Sequence, residues 1–166
     1  MRIRDLLPVL VLTAALAACA STPPPAEPIP PQPEPAPVEG YDWILHEDGA
    51  DARLAYGVAE SDDVRIAFDC RRGEGRLAMA ALAPPDAEPV ILLESGGETG
   101  RYAAAPETDL IHDGLILSAA AEADEPVFQR FRRVAWLARW QGGQREAYVP
   151  HAGSAGRIEQ FFAFCG

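Results

Sequence analysis

The sequence predicts a mainly β domain: an antiparallel sandwich or barrel-like arrangement with one or two short helices, including one at the C-terminus. Three observations predict it. Apolar and polar residues alternate with period two through several runs, as half-buried strands require. Those runs are separated by glycine-rich or proline-rich turns. Two segments break the alternation and carry helix-start signals instead.

Val64, Ile66, Phe68 and Cys70 alternate with Arg65, Ala67 and Asp69, which marks a strand with one buried face. Arg71-Arg72-Gly73-Glu74-Gly75 follows as a hairpin turn, and Leu77, Met79 and Ala81 resume the alternation. Prolines at 84, 85 and 89 end that hairpin, because proline cannot sit in a central strand. Residues 90–94 are a short apolar strand, 95–100 a turn, and 101–105 its returning partner. Residues 115–121 form a strand after the turn His112-Asp113-Gly114, and Trp43–Leu45 and Leu54–Tyr56 are two short strands near the start. Asp124 as a cap and Pro126 in a first turn predict a short helix through Arg133. Val134–Trp140 then reads as a strand, with Val134, Trp136 and Trp140 on a core-facing side, and 145–149 as its partner after a Gln-Gly-Gly turn. Ser154 is placed to cap a last helix that carries Ile158, Phe161, Phe162 and Cys165 on one face.

The first forty residues follow a different logic. Arg2 and Arg4 precede an apolar stretch from Leu6 to Ala18. At about 1.5 Å per residue that stretch covers roughly 20 Å, short of a hydrocarbon core of about 30 Å. A positive head, a short apolar centre and small residues before a cut are the marks of a secretory signal. Leu16-Ala17-Ala18-Cys19 resembles the lipobox of bacterial lipoproteins. The resemblance implies a signal peptide over 1–18 and a mature chain beginning at an acylated Cys19. Several acyl chains, at about 0.8 kcal/mol per buried CH₂, give stable anchoring. Ala20 rather than aspartate after the cysteine favours the outer membrane. Nine of the 15 residues from Pro23 to Pro37 are proline, which excludes helix and central strand there. Residues 19–40 therefore read as the lipidated cysteine plus a polyproline II tether reaching up to about 65 Å, and 41–166 as a periplasmic β-rich domain.

Without residues 1–18 the chain carries 12 arginines, 24 acids and no lysine, a formal charge of −12. That balance excludes nucleic acid as a partner. With Cys19 set aside, Cys70 and Cys165 remain as a pair in an oxidising compartment, where a disulfide is expected and two free buried thiols are the alternative.

Catalytic chemistry finds little footing. His46, His112 and His151 lie in or beside loops without metal-ligand spacing, so no metal and no cofactor are expected. Ser95 lacks a G-x-S-x-G setting, and Glu94 and Glu98 have no second feature that makes them a catalytic pair. Arg130, Arg132 and Arg133 cluster in the first helix, and Arg71 and Arg72 flank a turn. In so acidic a chain these are candidate sites for phosphates, carboxylates or an acidic partner, with internal pairing as the plainer reading. The stretches LAYGVAESDDVRIAFDC, WLARWQGGQREAYVP and IEQFFAFC resemble small exported proteins of alphaproteobacteria, and imply no activity. ESGGETGRYAA resembles the S-G-x-x-Y loop of lipoprotein lysozyme inhibitors, with Ser95, Gly96 and Tyr102 as matching residues and a longer serine-to-tyrosine spacing.

The expectation is a lipid-anchored envelope protein whose domain binds or scaffolds without catalysing. Peptidoglycan, lipid A and an envelope protein are the expected partners besides the membrane itself. A lysozyme-inhibitor-like lipoprotein and a periplasmic hydrolase are the alternatives. The intact mass of protein taken from its host's membranes should show an acylated N-terminus at Cys19, and Cys19→Ser should abolish it. An unmodified chain free in the periplasm would refute the lipobox reading.

Overall fold

A computed structural model describes residues 35–166; the expected signal peptide, the lipidation at Cys19 and most of the tether lie outside them. The described chain is mainly β, with two antiparallel sheets and two helices, as the alternation predicts. The strands are β1 (Tyr41–Asp48), β2 (Asp51–Val58), β3 (Val64–Arg71), β4 (Arg76–Ala83), β5 (Val90–Ser95), β6 (Glu98–Ala103), β7 (Ala105–Asp109), β8 (Gly114–Glu122), β9 (Leu137–Gln141) and β10 (Gln144–Tyr148). Helix α1 (Pro126–Val134) precedes β9, and α2 (Gly156–Cys165) ends the chain. One sheet has the order β1-β2-β3-β4-β8-β7 and the other β10-β9-β5-β6.

Register carries the predicted periodicity into the core. Across the large sheet Trp43 faces Tyr56, Tyr56 faces Ile66, Ile66 faces Ala81 and Ala81 faces Leu117, so one row of side chains points to a single side. A second row runs through Leu54, Phe68 and Met79. The helices cover this face with Phe128, Phe131, Phe161 and Phe162, all fully buried. Phe128 meets Phe68 edge-on at 5.8 Å, and Phe131 meets Trp43 at 5.0 Å. Trp43 also touches Tyr148 of the small sheet at 6.3 Å and donates its indole N–H to the Tyr148 carbonyl at 3.3 Å. Aromatic pairs at such separations add about 0.5–1.5 kcal/mol each beyond the area they bury.

Four local expectations are corrected. The Val134–Trp140 run is not one strand: Val134 ends α1, Ala135 turns left-handed at φ 59°, and β9 starts only at Leu137. Ala135 donates its N–H to Phe131 O at 2.8 Å, a helix stop usually made by glycine. This break reverses the facing that parity from Val134 implies. Leu137 and Arg139 point inward, whereas Trp140 points out and is 36% exposed. The cap of α1 is Glu125 rather than Asp124, and it makes no side-chain capping bond. Its carboxylate accepts instead from the Glu122 N–H and the Tyr102 hydroxyl. Ser154 likewise does not cap α2, which follows Ala155; its hydroxyl donates to Asp42 Oδ1 at 2.7 Å. Finally, Ala105–Asp109, to which the alternation assigns no element of its own, is strand β7, and it contains Pro106. The proline is tolerated on the sheet's edge, where no ladder N–H is needed on the outer side. The chain passes from the small sheet to the large one at Ala104, between β6 and β7.

Cys70 and Cys165 sit at disulfide distance, with Cα atoms 5.8 Å apart and a sequence separation of 95. The end of α2 is further held by Gly73 N–H to Phe164 O and Gly75 N–H to Cys165 O. Closing a loop of that size is worth about 4–5 kcal/mol in the chain-entropy picture. Reduction, or Cys70→Ser, should lower the unfolding temperature by about 5–15 °C, and an unchanged melting curve would show that the thiols are unpaired in solution.

Burial raises the pKa of Tyr102 and Tyr148 far above the usual phenol range, reinforced by donation to Glu125 and the proximity of Glu146 respectively. Burial raises Tyr56 as well. The folded state therefore keeps protons that the unfolded chain releases above its ordinary tyrosine pKa of about 10. Stability should be level in this respect below pH 10 and fall above it, and Tyr148→Phe should flatten the fall in denaturant titrations. A chain equally stable at pH 9 and pH 11 would contradict this assignment.

Candidate functional site

The outer face of the small sheet is built by β9 and its two neighbours. Leu92 lies opposite Trp140, and Arg101 lies opposite Leu92 across β5 and β6. Arg145 lies opposite Trp140 on the other side, across β9 and β10. Two glycine-pair hairpins fix these registers. Gly96-Gly97 closes β5–β6 and Gly142-Gly143 closes β9–β10, all four residues having positive φ.

The polar half of this face is preorganised. The Glu94 carboxylate accepts from Arg145 Nε at 2.6 Å and from the Trp140 indole N–H at 3.4 Å. Arg145 in turn lies 5.1 Å from the centre of the Trp136 ring. Both members of the ion pair are largely buried, with side-chain exposures of 21% and 17%. Glu94 therefore sets the tilt of Trp140, while Trp136 carries the guanidinium that holds Glu94. The other half is an open groove of about 500 Å³ over Val90, Leu92 and Trp140, with Arg101, Asp86 and Glu88 among its charged residues. Arg101 has no carboxylate within 4 Å among the described residues. An apolar floor, an exposed indole and an uncommitted guanidinium offer stacking and anion binding side by side.

A second depression of about 570 Å³ lies on the large sheet beside His46, Arg53, Asp69, Arg71 and Arg76. Two of its arginines are paired internally: Arg53 with Asp69 at 3.0 Å, and Arg71 between Asp51 and Glu74, while Arg76 makes no ion pair among the described residues. The groove beside Trp140 is the better candidate because it adds an exposed indole to its uncommitted arginine.

The arginines singled out from sequence are mostly committed. Arg132 makes two bonds to the Glu159 carboxylate, the shorter at 2.6 Å, and this pairing holds Glu159 below its usual carboxylate range. Arg72 stacks on Phe164 with its Cζ 3.7 Å from the ring centre. Arg130 is half-buried against the Gly96 turn, and Arg133 is exposed. Ser95 is fully buried and donates its hydroxyl to the Trp136 carbonyl at 2.8 Å. Tyr102 is buried too, its ring against Gly100 and its hydroxyl on Glu125, so two of the three residues that carry the inhibitor-loop resemblance are internal. The histidines are spread out. His46 is on the large sheet, His112 bonds Asp109 at 2.8 Å, and His151 contacts the Val38 carbonyl at 3.0 Å. Asp109 is held below its ordinary pKa first by the Ile111 N–H and then by His112. Among the described residues no group of three His, Cys, Asp or Glu side chains is placed to hold a metal, and no helix is long and apolar enough to cross a membrane.

Sequence reasoning missed Arg101 and misplaced Trp140. The Gln-Gly-Gly turn correctly signals the β9–β10 hairpin, but facing depends on where β9 begins, and only the break at Ala135 decides that. Compared with known protein families, with curated proteins and with solved structures, the chain matches none.

Removing the Glu94 charge leaves Arg145 largely buried without its counter-ion. Glu94→Gln should therefore cost about 1–3 kcal/mol in denaturant unfolding. It should also redshift the emission of Trp140 as the indole loosens, and an unchanged stability and spectrum would show that the pair does not support the platform.

Proposed function

We propose that this protein is a lipid-anchored component of the cell envelope whose β domain binds a ligand without transforming it. The observation that carries the reading is the outward Trp140, held by Glu94 and set beside uncommitted Arg101 over an apolar groove. Indole faces stack on the apolar faces of sugar rings, and a guanidinium pairs with carboxylates. Peptidoglycan carries both groups, and the anchor, the tether and the outer-membrane address read from the first forty residues put the domain within reach of it. Cys19 would hold the chain in the membrane, and the proline-rich segment would set its reach. The surplus of acids supports a site that selects its anionic partner through local geometry, since the net charge repels polyanions at a distance.

The test is co-sedimentation of the full chain, in detergent, with purified peptidoglycan sacculi. Wild type should pellet, and Trp140→Ala or Arg101→Ala should cut the bound fraction by about tenfold, equivalent to about 1.4 kcal/mol. Both side chains are on the surface, so the variants should melt within a few degrees of wild type. Binding that survives both substitutions would move the ligand site elsewhere.

A further inference from the structure

A buried cation outside any ion pair among the described residues lies on the opposite face of β9. Arg139 is only 7% exposed, and no carboxylate among the described residues comes within 4 Å of it. Its Nη2 donates to Gln141 Oε1, while Nη1 has no hydrogen-bond partner. The Gln141 Nε2 is buried and unpartnered as well. Both side chains line a cavity of about 480 Å³, walled on the other side by Arg65 of β3 and by the β7–β8 turn with His112 and Asp113. The other cations of this cavity are already held. Arg65 pairs with Asp63 at 3.3 Å and donates to Tyr41 Oη at 2.5 Å, and His112 is on Asp109. Glu146, its cross-strand neighbour, stays beyond ion-pair distance of Arg139, and a buried guanidinium with an idle nitrogen is a feature that internal structure does not explain, since burying a charge without a bonded partner is costly.

We propose that this cavity binds a small carboxylate-bearing zwitterion, of amino-acid or dipeptide size, with Arg139 as its anchor. The carboxylate takes the seat on Nη2 that Gln141 Oε1 now fills, exchanging a neutral acceptor for a charged one. The displaced carboxamide turns its Nε2, now idle, to the same carboxylate. Arg139 Nη1, closed to water, opens to the ligand as Gln141 moves. Asp113 and Glu146, neither of them in an ion pair among the described residues, supply acceptors for the ligand's ammonium end. Glu146 faces Arg139 across the β9–β10 register and accepts from the Tyr148 hydroxyl at 3.0 Å, which holds it in place.

The experiment is calorimetric titration of the full chain in detergent with alanyl-alanine, its C-terminal amide and its N-acetyl derivative. Alanyl-alanine should bind with a dissociation constant of about 1 mM or tighter, and the amide at least about tenfold more weakly. The acetylated peptide should bind more weakly than the parent. Arg139→Met, which keeps length and removes charge, should abolish binding and leave the melting temperature equal or higher, because it relieves an unpaired buried cation. Gln141→Ala provides the second variant should Arg139→Met fail to fold, and it should weaken binding at least about threefold. No binding by wild type, equal binding of peptide and amide, or undiminished binding by Arg139→Met or Gln141→Ala overturns the proposal. Arg139→Met should still pellet with sacculi and Trp140→Ala should still bind the dipeptide, so failure here is distinct from failure of the groove reading.

Discussion

The fold depends on one side chain, Trp43. It stands on the edge strand of the large sheet, yet its ring meets Tyr56 and Phe68 of that sheet, Phe131 of α1 and Tyr148 of the small sheet. Two sheets of unequal width cannot cover each other fully, and the exposed part of the wider one must be closed by something else. Here α1 and α2 close it, and Trp43 is where sheet, helix and second sheet share a single packing problem. A ring of that size reaches all three at once. Its one polar atom is satisfied by the Tyr148 carbonyl, so its burial leaves no donor unpaired.

Much of this was legible. Strands β3 and β4 read directly from alternation because one face is buried and the other is not, and the register Phe68–Met79 keeps the two apolar faces together. The cysteine pair was legible by arithmetic with Cys19 set aside. What failed did so where one backbone dihedral outweighs side-chain pattern. Ala135 has no sequence mark of a helix stop, since alanine is the best of helix formers, and its left-handed turn inverts the facing of everything after it. Trp140, counted as core, is for that reason the exposed residue of the groove, and Arg139, which alternation would place outside, is the buried one.

The candidate site was the least legible part, and the physical reason is distance in sequence. Glu94, Arg101, Trp140 and Arg145 come from four strands and meet only through pairings of antiparallel hairpins. By contrast, of the arginines that cluster in sequence, Arg71, Arg72 and Arg132 are occupied by Asp51, Glu74, Phe164 and Glu159, while Arg130 and Arg133 make no ion pair among the described residues.

Asp42 gives the start of the described chain a mechanical meaning. Its carboxylate gathers the Ser154 hydroxyl, the His151 N–H and the Arg157 guanidinium, and the Val38 carbonyl a few residues earlier meets both the Tyr41 N–H and the His151 ring. A pull applied from the N-terminal side thus arrives first at a knot of polar bonds joining β1 to the start of α2. It does not begin by unzipping the β1–β2 ladder at a free end. Tension would be shared between an edge strand and a helix whose far end is fastened to β3 at Cys70, so that the strand resists being peeled away alone.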